Sequence, residues 1–140
     1  MAIFLNNKVG FKIATVNLSD HVTAFQLNRV LDAIEVTAMG STSHQFVGGL
    51  SADTITVTFL NDTATGSVLQ TLQSAFGSTV AFQAIQDSSA AVSATNVLYS
   101  GTIFVDNLTD INGAVADEAM IVITFTCNSK TAYATTGTWS

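Results

Sequence analysis

Proline is absent from these 140 residues, and cysteine occurs once, at Cys127. A single thiol excludes an intrachain disulfide. Without proline, chain punctuation falls to glycine and to clusters of Asn, Asp and Ser. Charged residues make up only 10% of the chain, against about 25% in ordinary domains. Cations are scarcer still: Lys8, Lys12, Arg29 and Lys130 face ten acids, for a net charge of −6. Gripping nucleic acid takes Lys and Arg on the phosphates, so that role is excluded, whereas passage of nucleic acid without adhesion is not. The one tryptophan, Trp139, stands near the C-terminus, which leaves no aromatic groove for a carbohydrate-binding sandwich. No apolar run approaches the roughly 18–20 residues that span a bilayer. The apolar part of Met-Ala-Ile-Phe-Leu at the N-terminus is too short for a signal peptide core, and no basic region precedes it. These features predict folding in a cytoplasm, where the sequons at Asn17, Asn61 and Asn107 carry no weight.

What the chain does have is apolar residues, 48% of the total, with a mean hydropathy of +0.44. They are interleaved with Thr, Ser, Gln and Asn, the pattern of half-buried sheet. A chain of this length forms one domain and buries roughly 68% of its unfolded surface, enough for a core without staples. Hydroxyls and amides cost far less to desolvate than ions. The composition therefore favours a protein that hides surface against other subunits, although a neutral sandwich domain has the same composition.

Residues 1–8 read as an arm. Val9, Phe11 and Ile13 alternate with Gly10, Lys12 and Ala14 as a strand. Further strands are predicted over 21–27 and 30–38, the latter with Ile34, Val36 and Ala38 on one face. Residues 39–52, with three glycines, read as a long loop. The cleanest alternation, Ile55, Val57 and Phe59 against Thr54, Thr56 and Thr58, predicts a strand over 53–60. The period then changes to helical at Val68, Leu69, Leu72, Ala75 and Phe76, with Asp62 or Thr63 as start and Gly77 as stop. Strand character returns over 79–86, 99–108 and 118–127, the last with Ile121, Ile123, Phe125 and Cys127 on one face. Asn112-Gly113 marks a turn between the last two. Residues 128–140 show neither period and read as a C-terminal arm. The sum is a single mainly β domain, a sandwich or barrel with one helix packed on it.

Reaction chemistry is nearly absent. His21 and His44 have no other ligand types at metal-binding spacing, so no metal and no cofactor is expected. No nucleophile elbow marks a serine hydrolase. Cys127 has core parity and reads as an inert thiol. Gly48-Gly49 lacks the spacing and the Lys of a phosphate loop. Asp32 with Glu35, and Asp117 with Glu118, read as solvated acids, Asp32 and Glu35 on opposite faces of their strand. The expectation is a protein without catalytic residues. Assembly is the stronger signal. Met39, His44, Phe46, Val47 and Leu50 in the loop, Ile3, Phe4 and Leu5 in the first arm, and Trp139 in the last are candidate contacts with neighbouring copies. Head-to-tail contacts that close make rings, and rings stack into tubes.

Two segments resemble the tail tube proteins of long-tailed phages. One is Ile34-Glu35-Val36-Thr37-Ala38-Met39-Gly40, followed by the loop through Gly48-Gly49-Leu50 and the strand 53–59. The other is Tyr99-Ser100-Gly101-Thr102-Ile103-Phe104-Val105, then Gly113-Ala114-Val115-Ala116-Asp117-Glu118-Ala119 leading into the strand 121–126. The likeness covers about residues 20–127. It implies a two-sheet antiparallel β-sandwich flanked by one α-helix. Such subunits form hexameric rings, stacked through the loop 39–52 and the arms into a virion tail tube that is assembled in the host cytoplasm. It further implies a tape-measure protein and tail-end proteins as partners, DNA passing through without specific binding, and no membrane. Asp32, Glu35, Thr54, Thr56 and Thr58 are the candidate lumen lining, acidic or hydroxylated where Lys and Arg would hold DNA back. A capsid decoration protein built on the same kind of sandwich is the alternative.

Overall fold

The computed structural model describes residues 8–113, 115 and 118–139. Ten strands and one α-helix follow the chain as β1 (Gly10–Ile13), β2 (Val16–Asn17), β3 (Val22–Asn28), β4 (Leu31–Glu35), β5 (Phe46–Ser51), β6 (Thr54–Leu60), α1 (Val68–Ala75), β7 (Thr79–Ile85), β8 (Leu98–Phe104), β9 (Met120–Cys127) and β10 (Ala132–Ala134), with a short 3-10 helix at Ser19–His21 between β2 and β3. Eight strands form one antiparallel sheet in the order β2-β1-β7-β8-β9-β6-β3, with β10 also on β8, and β4 and β5 form a separate pair.

The large sheet is jointed. β8 and β9 share only the pairs Ile103↔Cys127 and Phe104↔Thr126, whereas β6 and β9 pair along seven positions. On either side of this joint the halves β2-β1-β7-β8 and β9-β6-β3 face each other as a sandwich. Phe11 of β1 spans the gap, its ring centroid 5.0 Å from Phe25 of β3 and 6.1 Å from Phe59 of β6. Alternation decides which side chains enter. Ile55, Val57 and Phe59 of β6 and Ile121, Ile123 and Phe125 of β9 are buried, and their alternate neighbours are not. Each fully buried side chain of this size contributes about 1.5–3 kcal/mol. β1 departs from alternation: all four of its residues are buried, because its outer face is covered as well.

The β1–β2 connection is a two-residue turn at Ala14 (φ 53°) and Thr15 (φ 89°), closed by the pair Ile13↔Val16. Two positive φ values suit Asn-Gly, and a β-branched residue is strained there. The double change Ala14→Asn, Thr15→Gly is expected to stabilise the chain by about 1 kcal/mol and raise Tm by about 3 °C, checked by calorimetry.

The helix stripe Val68, Leu72 and Ala75 closes the core as its spacing predicts. Its start differs from expectation. Ser67 occupies the N-cap position, and neither Asp62 nor Thr63 caps the helix. Asp62 instead ties the preceding loop, accepting from the Ala64 N–H (2.9 Å), the Ser67 hydroxyl (2.9 Å) and His21 Nε2 (2.9 Å). Its carboxyl is held below the ordinary aspartate value, chiefly by the Ala64 and Ser67 hydrogen bonds. Because the carboxylate stands between Ser67 and His21, the histidine does not activate the serine, and these three residues are no hydrolase triad. Gly77 (φ 80°) ends the helix. Phe76, assigned to the stripe by spacing, has left helical geometry at the C-cap and stands 56% exposed.

Three further expectations are corrected. Residues 46–51 of the expected loop are strand β5, and residues 132–134 of the expected arm are strand β10, paired with β8 through Ala132↔Ser100 and Ala134↔Leu98. The strand read as 99–108 ends at Phe104.

Candidate assembly surface

β3 with β6, and β4 with β5, are consecutive parts of one two-stranded ribbon. The ladder runs from Val22↔Phe59 to Asn28↔Thr54, passes the bond from Ala52 N–H to the Val30 carbonyl, and continues from Leu31↔Ser51 to Glu35↔Phe46. Its first part belongs to the sandwich. Its second part projects as a hairpin on which every β4 residue and most of β5 are exposed.

Residue types explain the hairpin. Gly48 and Gly49 suggest a loop, yet here they are strand residues covered by their partners. A Cβ on Gly48 would lie 2.8 Å from Leu31 Cδ2, and one on Gly49 would lie 2.9 Å from Ile34 Cδ1. The register shifts between Leu31 and Ala33, and this bulge leaves Leu50 81% exposed. Beyond the last pair, the Val36 N–H donates to the Gln45 carbonyl (2.8 Å) and the Gln45 N–H to Thr37 Oγ1 (2.9 Å). His44 Nδ1 lies 2.7 Å from Glu35 Oε2.

Among the described residues, eight of the fourteen large apolar side chains left exposed fall between positions 30 and 50: Val30, Leu31, Ile34, Val36, Met39, Phe46, Val47 and Leu50. By strand parity Leu31 and Phe46 lie on one face of the hairpin and Ile34, Val36 and Val47 on the other. Among the described residues, nothing of the same chain covers this hairpin, which is apolar on both faces.

The sequence-predicted contacts thus divide. Met39, Phe46, Val47 and Leu50 lie exposed on or at the tip of the hairpin, with His44 beside them. Ile3, Phe4 and Leu5 lie outside the described residues. Trp139 does not point outward. It is half-buried on β1 of its own chain, Lys12 Nζ sits 4.4 Å from its ring centre, and a Cβ on Gly10 would come 2.6 Å from its Cζ2. This is why the outer face of β1 is buried. Of the candidate lumen residues, Asp32 and Glu35 sit on the two faces of the hairpin. Thr54, Thr56 and Thr58 lie on the outer face of β6, between Ala24, Gln26 and Asn28 of β3 and Val122, Thr124 and Thr126 of β9. Thr56 and Thr124 hydroxyls are 3.3 Å apart. The whole grid is uncharged.

Sequence reasoning missed Val30 and Leu31, adjacent apolar positions of opposite parity that put apolar surface on both faces of the ribbon. It also missed Ile111 and Val115, almost fully exposed in the β8–β9 connection, and it missed Asp53. Asp53, a residue only 3% exposed, lies at the bend between sandwich and hairpin. It accepts the Val30 N–H at Oδ1 (3.1 Å) and the Thr131 N–H at Oδ2 (2.8 Å). Burial pushes its pKa up, but the Thr131 and Val30 hydrogen bonds and the nearby Arg29 charge outweigh it and hold the carboxyl below the usual aspartate range. The Cys127 thiol is pushed up, first by burial, which makes it a poor nucleophile. No group of His, Cys, Asp and Glu among the described residues is placed to hold a metal ion, and none of their helices is long and apolar enough to cross a membrane.

No protein-family model and no curated protein sequence matches the chain. Solved structures do. A chain in the virion of a native gene transfer agent (GTA) particle superposes with a TM-score of 0.73 at 12% identity, covering 94% of this chain and 99% of that one. A chain in the tail of an empty GTA particle, refined with C6 symmetry, gives a TM-score of 0.65 at 14% identity, covering 81% of this chain and 82% of that one. The jointed sandwich with its helix is therefore a fold shared with chains of gene transfer agent virions and tails.

Proposed function

We propose that this chain is a structural tail subunit, six copies of which close a ring, the rings stacking into the tube of a virion tail. The observation that carries the reading is the projecting hairpin with apolar side chains on both faces. A surface of that kind is stable in water only when neighbours cover it on both sides, and a repeating lattice of identical copies supplies two such neighbours. The likeness to a chain in a sixfold-symmetric tail supports the same arrangement. The uncharged Thr-rich grid on β3, β6 and β9 suits a lumen wall, because it offers DNA no cation to bind. On this reading a tape-measure protein occupies the tube during growth, tail-end proteins cap it, assembly takes place in the host cytoplasm, and the chain performs no catalysis.

Electron microscopy of the purified chain over a range of concentrations tests the proposal. Hollow tubes or stacked sixfold rings are expected above a threshold concentration. Small discrete oligomers at every concentration would favour a capsid decoration protein, and a monomer throughout would overturn assembly altogether.

A further inference from the structure

Resting on the tail-tube reading, we propose that Asp53 is the positioning residue that sets the direction of the hairpin and thereby its competence for assembly. Among the described residues β4 and β5 pack broadly only against each other, so the hairpin's angle is decided where it leaves the sandwich. At that bend both carboxylate oxygens of Asp53 are engaged, and by different segments. One takes the N–H of Val30 at the root of the hairpin, the other the N–H of Thr131 in the segment leading into β10. The Asp53 carbonyl accepts from the Cys127 N–H (3.0 Å) at the end of β9. One buried side chain thus ties the hairpin root to the segment before β10, while the main chain of the same residue is bonded to the end of β9. Two backbone donors depend on it, the Thr131 N–H buried and the Val30 N–H partly so, and a buried donor left unpaired is costly, so the carboxylate favours the one bend angle at which both are met.

The charged and titratable groups around Asp53 are Arg29 on its own ribbon, Lys130 beside Thr131, and the Cys127 thiol. The Arg29 charge favours the carboxylate. Because the folded-state pKa is depressed, the tie is complete above the ordinary aspartate value of about 4 and is lost as pH falls below it. The lock therefore holds at neutral pH and opens only in acid.

The test compares wild type with Asp53→Asn, which keeps the size but offers one acceptor to two donors. In the unassembled chain, residual dipolar couplings of the β4–β5 amides are expected to fit the sandwich's alignment tensor in wild type and to depart from it in Asp53→Asn. The concentration needed for tube growth is expected to rise at least tenfold. If the couplings of Asp53→Asn still fit one rigid body, the lock is overturned. If the hairpin is released but the growth threshold is unchanged, its control of assembly is overturned. If wild type forms no tubes at any concentration, the tail-tube reading fails, while the couplings alone still decide the lock. Where Asp53→Asn melts below the assay temperature, Asp53→Glu, which keeps the charge and displaces it by one methylene, takes its place with the same outcomes.

Discussion

Changing Phe46 and Leu50 together to aspartate is expected to leave the monomer folded and to abolish its growth into tubes. The two side chains are 58% and 81% exposed, and surface substitutions of this kind move stability by about 0.5 kcal/mol or less. On the tail-tube reading the same positions are desolvated in the assembled lattice. A carboxylate buried there without a partner costs several kcal/mol, and the cost recurs at every interface of a ring. Each 1.4 kcal/mol is tenfold in affinity, so the growth threshold is expected to rise at least about 100-fold. Sedimentation velocity measures the loss of assembly, and circular dichroism with a thermal melt shows that the fold survives. Tubes forming at the wild-type concentration would show that the hairpin is not the contact. Phe76→Asp is the matching control: Phe76 is also exposed, at 56%, but is the C-cap of α1 and no part of the hairpin, and its change is expected to leave growth intact.

Phe11→Ala is expected to produce the largest loss of stability. Phe11 is fully buried and reaches from β1 to Phe25 on β3 and Phe59 on β6, so it joins the two half-sheets where no backbone ladder does. Truncating a buried phenylalanine costs about 3–5 kcal/mol through lost burial and the cavity left behind. A domain of this size holds roughly 5–15 kcal/mol in total. A fall in Tm of about 10–20 °C is expected by calorimetry. A fall of under 3 °C would mean that the half-sheets are held together elsewhere.

The central strands were legible because their signal is local. Ile55, Val57 and Phe59 against three threonines define a strand and its buried face whatever surrounds them, and all three apolar residues are fully buried. The helix stripe was equally plain, since Val68, Leu72 and Ala75 are spaced for one face. The hairpin was half legible. Its apolar residues stood out as having nowhere to go, but Gly48 and Gly49 were counted as part of a loop, when their use is to let Leu31 and Ile34 lie across the neighbouring strand. Trp139 and the segment before it gave no periodic signal, because three residues of β10 and one aromatic ring are placed by the strands they cover and not by a pattern of their own.

Composition and periodicity alone therefore determined a mainly β domain with one amphipathic helix, few charges, and more apolar surface than its core consumes. Only the tertiary structure decided where that surplus lies. The direction of the hairpin, the burial of Trp139 on β1 and the capture of Val30 and Thr131 by Asp53 all join residues remote in sequence, the last pair 78 positions from carboxylate to donor. Alternation is a property of neighbours along the chain, whereas a buried carboxylate finds its partners only after the strands that carry them have been folded into place.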